Sequence, residues 1–340
     1  MAPPTREMMA DMSHSPHNNN QGRIIRFLVI FSVLALASVA LRILSKWMQL
    51  SKIFWDDVLL VVAIVQMLAV NILFAIAMSR GGFGLHMADV SAAQLVFFNK
   101  SYFVAGLVMP SCYATAKLSM LWFLNDIFSY PKFQRVVRIL AVVVGCWWIA
   151  TMFLNTFICF PIQARWNPTV GGNCSHKVIQ VEFFATPIPW IITDFAILIA
   201  PLPVLWRMKI SRARQVALLL LFSIGILTCG VACKRYVTLL DIDDTDLTFS
   251  MVEPCIWTII ESSTTIICSA LPGSARALRK FLPTTYLSHL VERIEVRYNR
   301  WKRNTTQRWL SGRRDVQLAR DVPDSPPANL STRKLDITPI

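Results

Sequence analysis

Apolar residues run in long blocks along this chain rather than alternating with polar ones at the period of a strand. Seven blocks reach or approach the roughly 20 apolar residues that a helix needs to cross a bilayer core about 30 Å thick, at about 1.5 Å per residue. They cover residues 24–44, 58–78, 95–123, 137–159, 184–206, 214–233 and 249–272. The third is the most interrupted, with Lys100 and Lys117 inside it. Its 29 residues leave room for a tilted span with Lys117 snorkelling toward one interface. The pattern predicts an all-α membrane protein, a seven-transmembrane helix bundle over residues 24–280. Residues 1–23 are polar and read as a disordered N-terminal segment, so the first span is expected to act as an uncleaved anchor. His14 and His17 belong to that solvated segment, and two ligands are too few for a metal site.

Beyond the last block the period changes. Leu287, Leu290, Val291, Ile294, Tyr298 and Trp301 share one helical face and charged residues cover much of the rest. Residues 281–301 are therefore expected to form an amphipathic interfacial helix on the inner leaflet. Residues 302–340 are polar, basic and proline-containing, as expected of a disordered cytosolic tail.

Composition fits this picture and excludes others. Of 340 residues, 54% are hydrophobic and 16% charged, and the mean hydropathy is +0.48. Soluble domains carry about a quarter charged residues. The net charge of +14 raises the question of nucleic acid, and the placement of the charges answers it. The segment 273–340 holds 14 Lys or Arg against six acidic residues, or +8 of the total. The connections 45–57, 124–136 and 207–213 carry most of the rest, flanked by Arg42, Arg138 and Arg214. With Lys234 and Arg235 assigned to the sixth connection, the positive-inside bias predicts the N-terminus outside or lumenal and the C-terminus cytosolic. The basic balance is a topology signal, and no nucleic-acid partner is expected; the lipid bilayer is.

Cys159 and Cys174 lie 15 positions apart in the fourth connection, on the oxidising side. They either close a disulfide or stand as two free thiols. Asn173 opens a nominal glycosylation triplet with Cys174 at its centre, a weak signal. The other six cysteines sit in or beside apolar blocks and read as packing residues. Asp241, Asp243, Asp244 and Asp246 invite a calcium reading, but the glycine turn and distal Glu of an EF-hand loop are missing. A solvated acidic loop is the better account, and no metal is expected.

Polar groups inside the blocks carry the functional signal, because ionisable residues in a membrane face a partner or a cavity. Asn99, Tyr102, Gly106, Met109, Tyr113 and Lys117 recur on one face of the third block. Trp190 and Asp194 lie four apart in the fifth, ahead of Pro201 and Pro203. Glu253, Trp257, Glu261, Thr264 and Cys268 form a stripe in the seventh, and Gln66 and Asn71 add polarity to the second. These positions predict an aromatic-walled polar pocket between spans three, five and seven, lined by Tyr102, Tyr113, Lys117, Trp190, Asp194, Trp257 and Glu261. The same groups could equally pair and lock the helices. A proton-carrying carboxyl among aromatic rings could start a carbocation cyclisation, with tryptophan faces stabilising the cation. That makes Asp194 and Glu261 candidate general acids, provided that no cation pairs with them. No nucleophile elbow, HExxH, P-loop or dinucleotide fingerprint is present.

The sequence resembles the fungal rhodopsin-like family of seven-helix integral membrane proteins, the family of the satratoxin-cluster membrane protein and of receptors linked to fungal pathogenicity. The resemblance rests on Trp55, Asp56 and Asp57 entering the second block, and on Gly82 through His86 after it. Lys100 to Tyr102, Lys117 to Ser119 and Asp126 to Phe128 match in and after the third block. Cys159 to Pro161, Trp166 and Cys174 match in the fourth connection. Asp194 to Pro203 and Glu261 to Pro272 match in the fifth and seventh blocks. It covers roughly residues 24–280. It implies that Cys159 and Cys174 form the loop disulfide, and that Asp56, Asp57, His86, Lys100, Lys117, Asp194 and Glu261 are framework or pocket positions. The cysteine-rich outer module of some receptors in the family has no counterpart in residues 1–23. The seventh block has no lysine for a retinal Schiff base, so no cofactor is expected.

Three functions compete. The first is a multi-pass membrane protein of a specialised-metabolite (toxin) pathway, holding an apolar small molecule or pathway intermediate in the bundle, beside pathway enzymes. The second is a receptor that senses an external ligand and engages a G protein, although the inner loop 207–214 is short for that task. The third is a membrane enzyme of cyclase or isomerase type. Plasma membrane and endoplasmic reticulum remain equal choices.

Overall fold

Helix ends in this chain are set by proline, glycine and capping residues, and the polar groups between those ends find partners on neighbouring helices. The computed structural model describes residues 20–48, 54–128, 130–167, 170–174, 186–203, 212–242 and 246–281. The chain divides into the units Met1–Phe281 and Leu282–Ile340. The expected interfacial helix and tail, 281–301 and 302–340, lie outside the described residues but for Phe281, as do residues 1–19 of the N-terminal segment.

Seven helices longer than ten residues occur among the described residues: α1 Gln21–Met48, α2 Trp55–Gly81, α3 Ala92–Ile127, α4 Pro131–Phe157, α5 Pro187–Ile199, α6 Arg212–Leu240 and α7 Val252–Phe281. Six of these stretches are long and apolar enough to cross a membrane. Of the fifth block, 184–206, the described helix covers only the middle, and residues 184–185 and 204–206 lie outside the described residues. Pro187 starts α5 as its first residue, and the 13 described residues rise only about 20 Å.

The remaining ends also differ from the apolar blocks. Ser91 and Gln94 cap α3 reciprocally, with Ser91 N donating to Gln94 Oε1 at 2.9 Å. That start places Asn99 and Lys100 inside the helix. Helix α2 ends on Gly82 at φ 67°, the left-handed conformation that a side chain would oppose. Helix α6 continues to Leu240, so Lys234 and Arg235 are helical and not part of the sixth connection.

Each helix packs against the next in sequence, and α7 closes the ring on α1 while also touching α2 and α3. Side chains such as Val29, Ile30, Val142 and Phe153 point outward and are more than half exposed, as lipid contact requires. Polar residues of the second block become interhelical bonds. Asn71 Nδ2 donates to Ser32 Oγ at 2.8 Å, and Thr115 Oγ1 to Gln66 Oε1 at 3.0 Å. The bundle is a multi-pass integral membrane domain.

At the end where α1 starts, the connections lock together. Gln21 Nε2 donates to the Met78 and Phe83 carbonyls, and Gly84 N to the Thr248 carbonyl. Asp246 accepts from Met87 N at 2.8 Å and lies 2.5 Å from His86 Nδ1, whose ring stacks on Phe249. Asp246 therefore ties two connections together; Asp243 and Asp244 of the acidic run lie outside the described residues. A two-residue antiparallel ladder, β1 Cys159–Phe160 with β2 Asn173–Cys174, sets Cys159 opposite Cys174.

Candidate functional site

Helix α3 supplies the axis of the site. Tyr113 and Lys117 stand one turn apart on its inward face, about 6 Å along the axis. Pro110 interrupts the hydrogen-bond ladder just before them. Gly106 lets α4 approach closely there: a β-carbon on it would lie 2.9 Å from Asn155 Oδ1.

Two ion pairs and two rings form a layer across the bundle. Lys117 Nζ, almost fully buried, lies 3.1 Å from Asp194 Oδ1 and donates to the Trp190 carbonyl at 2.7 Å and to Thr193 Oγ1 at 3.0 Å. It also sits 4.8 Å from the centre of the Trp190 ring. Tyr113 packs against Trp190 and donates its hydroxyl to Glu261 Oε2 at 3.2 Å. Arg235 Nε pairs with the same Glu261 oxygen, and its guanidinium lies 5.9 Å from the centre of the Tyr113 ring. Helices α3, α5, α6 and α7 are thereby joined at one level.

A cavity lies on each side of this layer. The larger, about 180 Å³, sits toward the end where α1 starts. Phe83, Phe98, Met251, Tyr102, Met109 and Tyr113 are among its lining residues, with Arg235 and Asn155 as polar members. The smaller, about 60 Å³, is lined by Lys117, Asp194, Thr228, Cys229, Thr265 and Ser269 among others.

The single expected pocket is thus two cavities and a floor. Tyr102 and Tyr113 line the larger one, and Lys117 and Asp194 the smaller. Trp190 and Glu261 belong to the layer between, and half-buried Trp257 lines neither. The general-acid candidates each carry a cation, Asp194 from Lys117 and Glu261 from Arg235. Lys100 and His86 are exposed, and Glu253 pairs with Arg23 at the surface, 2.6 Å apart.

Two residues of the larger cavity escaped the sequence reading. Arg235 follows an apolar block and reads as a loop charge, yet buried Thr228, Val231 and Ala232 continue at helical spacing onto it. Asn155 is a lone buried polar residue in the fourth block, bonded to the Thr151 carbonyl of its own helix.

Asp56 and Asp57 line neither cavity and belong to a buried cluster that reaches Ser269, a residue of the smaller one. Arg42 Nε donates to Asp57 Oδ1 at 2.8 Å, its Nη2 to Asp56 Oδ2, and its Nη1 to the Ser269 carbonyl of α7 at 2.7 Å. Lys46 Nζ completes the group, 2.5 Å from Asp57 and 3.2 Å from Asp56. Ser119 of α3 donates to the Asp56 carbonyl at 2.6 Å.

A ring of helices, six of them long and apolar enough to cross a membrane, with an ion-paired layer inside it and a cavity on either side, defines a polytopic membrane protein. Residues 41–280 match the fungal rhodopsin domain, and the chain belongs to that family. It is 26% identical over 282 residues to the Polyenoic acids biosynthesis gene cluster protein Ba17b of Metarhizium anisopliae, covering 78% of this chain and 75% of that one. It is 23% identical to Receptor GIN3 of Arthrobotrys oligospora, covering 76% of this chain and 62% of the receptor. It is 26% identical to Satratoxin biosynthesis SC1 cluster protein 4 of Stachybotrys chartarum, covering 51% and 62% respectively.

Proposed function

We propose that this protein serves a specialised-metabolite biosynthetic pathway by holding an apolar small molecule in the larger cavity, beside the pathway's enzymes in the membrane. The observation that carries the reading is the cavity itself. Most of its wall is apolar, including Phe74, Phe83, Phe98, Met109 and Met251, and hydroxyl, amide and guanidinium groups are set into it, the usual character of a small-molecule site. The names of the relatives from the polyenoic-acid and satratoxin clusters support the pathway context. The ion-paired floor does not favour the cyclase reading, since neither Asp194 nor Glu261 is free of a cation.

The reading includes seven crossings, with α5 extended by residues beyond the described helix. It places the N-terminus outside or lumenal, on the bias of Lys and Arg toward the inner connections and 273–340. Arg42 and Arg235 are both buried in ion pairs and drop out of that count. It also includes a disulfide between Cys159 and Cys174, supported by their facing positions in the ladder. Closing a loop of that length contributes about 3 kcal/mol. Maleimide labelling under denaturing conditions should then leave Cys159 and Cys174 unmodified until reductant is added. Labelling of both without reductant would remove the disulfide from this account.

The function is tested by replacing the gene in its native host with one encoding Ala105→Phe, which puts a ring into the larger cavity. The expected result is loss of the same metabolite set as in the full deletion, with the variant still present in membranes. Normal metabolites in the deletion strain would reject the pathway role. A receptor is the second reading, favoured by the similarity to Receptor GIN3. Ligand-dependent recruitment of a G protein, with metabolite output unchanged, would put it first.

A further inference from the structure

We propose that the larger cavity takes an uncharged amphiphile whose terminal oxygen accepts hydrogen bonds from Arg235, with its apolar body toward Phe83, Phe98 and Met251. The inference rests on the reading that this cavity holds a small molecule, and adds the chemistry of its head group and the direction in which it lies.

The argument starts from hydrogen-bonding capacity. A guanidinium carries five N–H donors. Arg235 uses Nε on Glu261, and among the described residues its two Nη groups donate to nothing, while the side chain lines the cavity at 13% exposure. Donors left in an apolar interior are costly, so the site is built to receive an acceptor. Four other donors of the cavity are already committed, Tyr113 to Glu261 and three within their own helices. Ser101 Oγ donates to the Phe97 carbonyl, Asn155 Nδ2 to the Thr151 carbonyl and Thr258 Oγ1 to the Pro254 carbonyl. Arg235 thus brings charged donors to that wall beyond those it spends on Glu261.

Charge then selects the kind of acceptor. Glu261 is 2% exposed and does not line the cavity, so it neutralises Arg235 from behind. A ligand carboxylate would add a second anion to a pair that is already neutral. An ammonium would face the guanidinium. A ketone, amide or alcohol oxygen meets the Nη donors without adding net charge. Size sets the scale: a dry cavity of about 150 Å³ accommodates benzene, so about 180 Å³ accommodates one ring with a short polar head.

The test uses the full chain in nanodiscs of neutral phosphatidylcholine, with empty nanodiscs as the partition reference and equilibrium dialysis as the readout. Toluene, benzyl alcohol, benzamide, benzoate and benzylammonium form a matched single-ring series. Benzamide and benzyl alcohol are expected to bind at least about tenfold more tightly than toluene, benzoate or benzylammonium. The doubly neutral variant Arg235→Gln/Glu261→Gln avoids a bare buried carboxylate. It should keep toluene binding and lose the preference for benzamide. The wild-type rank order needs no variant to fold. Benzoate binding as tightly as benzamide, or an unchanged preference in the double variant, overturns the proposal. Loss of all binding in Ala105→Phe alongside such a result rejects the Arg235 anchor alone. No binding of any probe above empty nanodiscs rejects the cavity reading as well.

Discussion

Arg42→Gln should lower the thermal unfolding midpoint of the detergent-solubilised protein by about 10 °C or more. Arg42 is fully buried and its donors reach two other helices: Asp56 and Asp57 at the start of α2, and the Ser269 carbonyl of α7. Glutamine cannot replace three such bonds and leaves two buried carboxylates to share Lys46. Breaking a buried pair by removing one partner costs about 3–5 kcal/mol. Native proteins have only about 5–15 kcal/mol to lose, and 1 kcal/mol moves the midpoint of a domain of this size by about 2–4 °C.

The cluster holds two cations and two anions, which gives a compensating test. Arg42→Gln/Asp57→Asn removes one of each and should recover much of the loss, because Lys46 and Asp56 remain as a neutral pair. The surface pair Arg23–Glu253, with both side chains nearly half exposed, is the internal control. Arg23→Gln should cost about 0–1 kcal/mol. Fluorescence-detected size exclusion after heating reads all three variants. An Arg42→Gln midpoint equal to that of Arg23→Gln would mean that the cluster does not hold α1 to α2 and α7.

Arg42 also shows where the sequence is legible and where it is not. The apolar blocks locate the helices because a membrane span needs about 20 predominantly apolar residues in a row. Hydropathy reads a charge as the end of a span, however, and a charge with a buried partner continues one. Arg42 reads as the flank of a connection and Arg235 as part of one, and both lie inside helices, each against a carboxylate from another. The partners are distant in sequence, 26 residues in the second case, so nothing local marks the pairing. The stripe from Tyr102 to Lys117 is visible at helical spacing because one face of α3 stays inward throughout. Its division between two cavities is not, since the floor is completed by Trp190, Arg235 and Glu261 from three other helices.

The second large effect tests whether that floor is scaffold or site. Lys117→Met leaves Asp194 without its cation, and Asp194→Leu leaves the Lys117 ammonium with only the Trp190 carbonyl and Thr193 hydroxyl. Each single variant is expected to lose about 3–5 kcal/mol. The double variant Lys117→Met/Asp194→Leu buries no charge at this position and should be more stable than either single. That ordering in a double-mutant cycle identifies a coupled pair. Additive losses would show that the two groups act independently despite lying 3.1 Å apart. Binding separates the roles further. Lys117 and Asp194 line the smaller cavity and not the larger, so a folded double variant should bind benzamide as the wild type does. If it folds and loses benzamide, the ion pair supports the position of Tyr113 and Arg235 above it, and the two sides of the layer are one site.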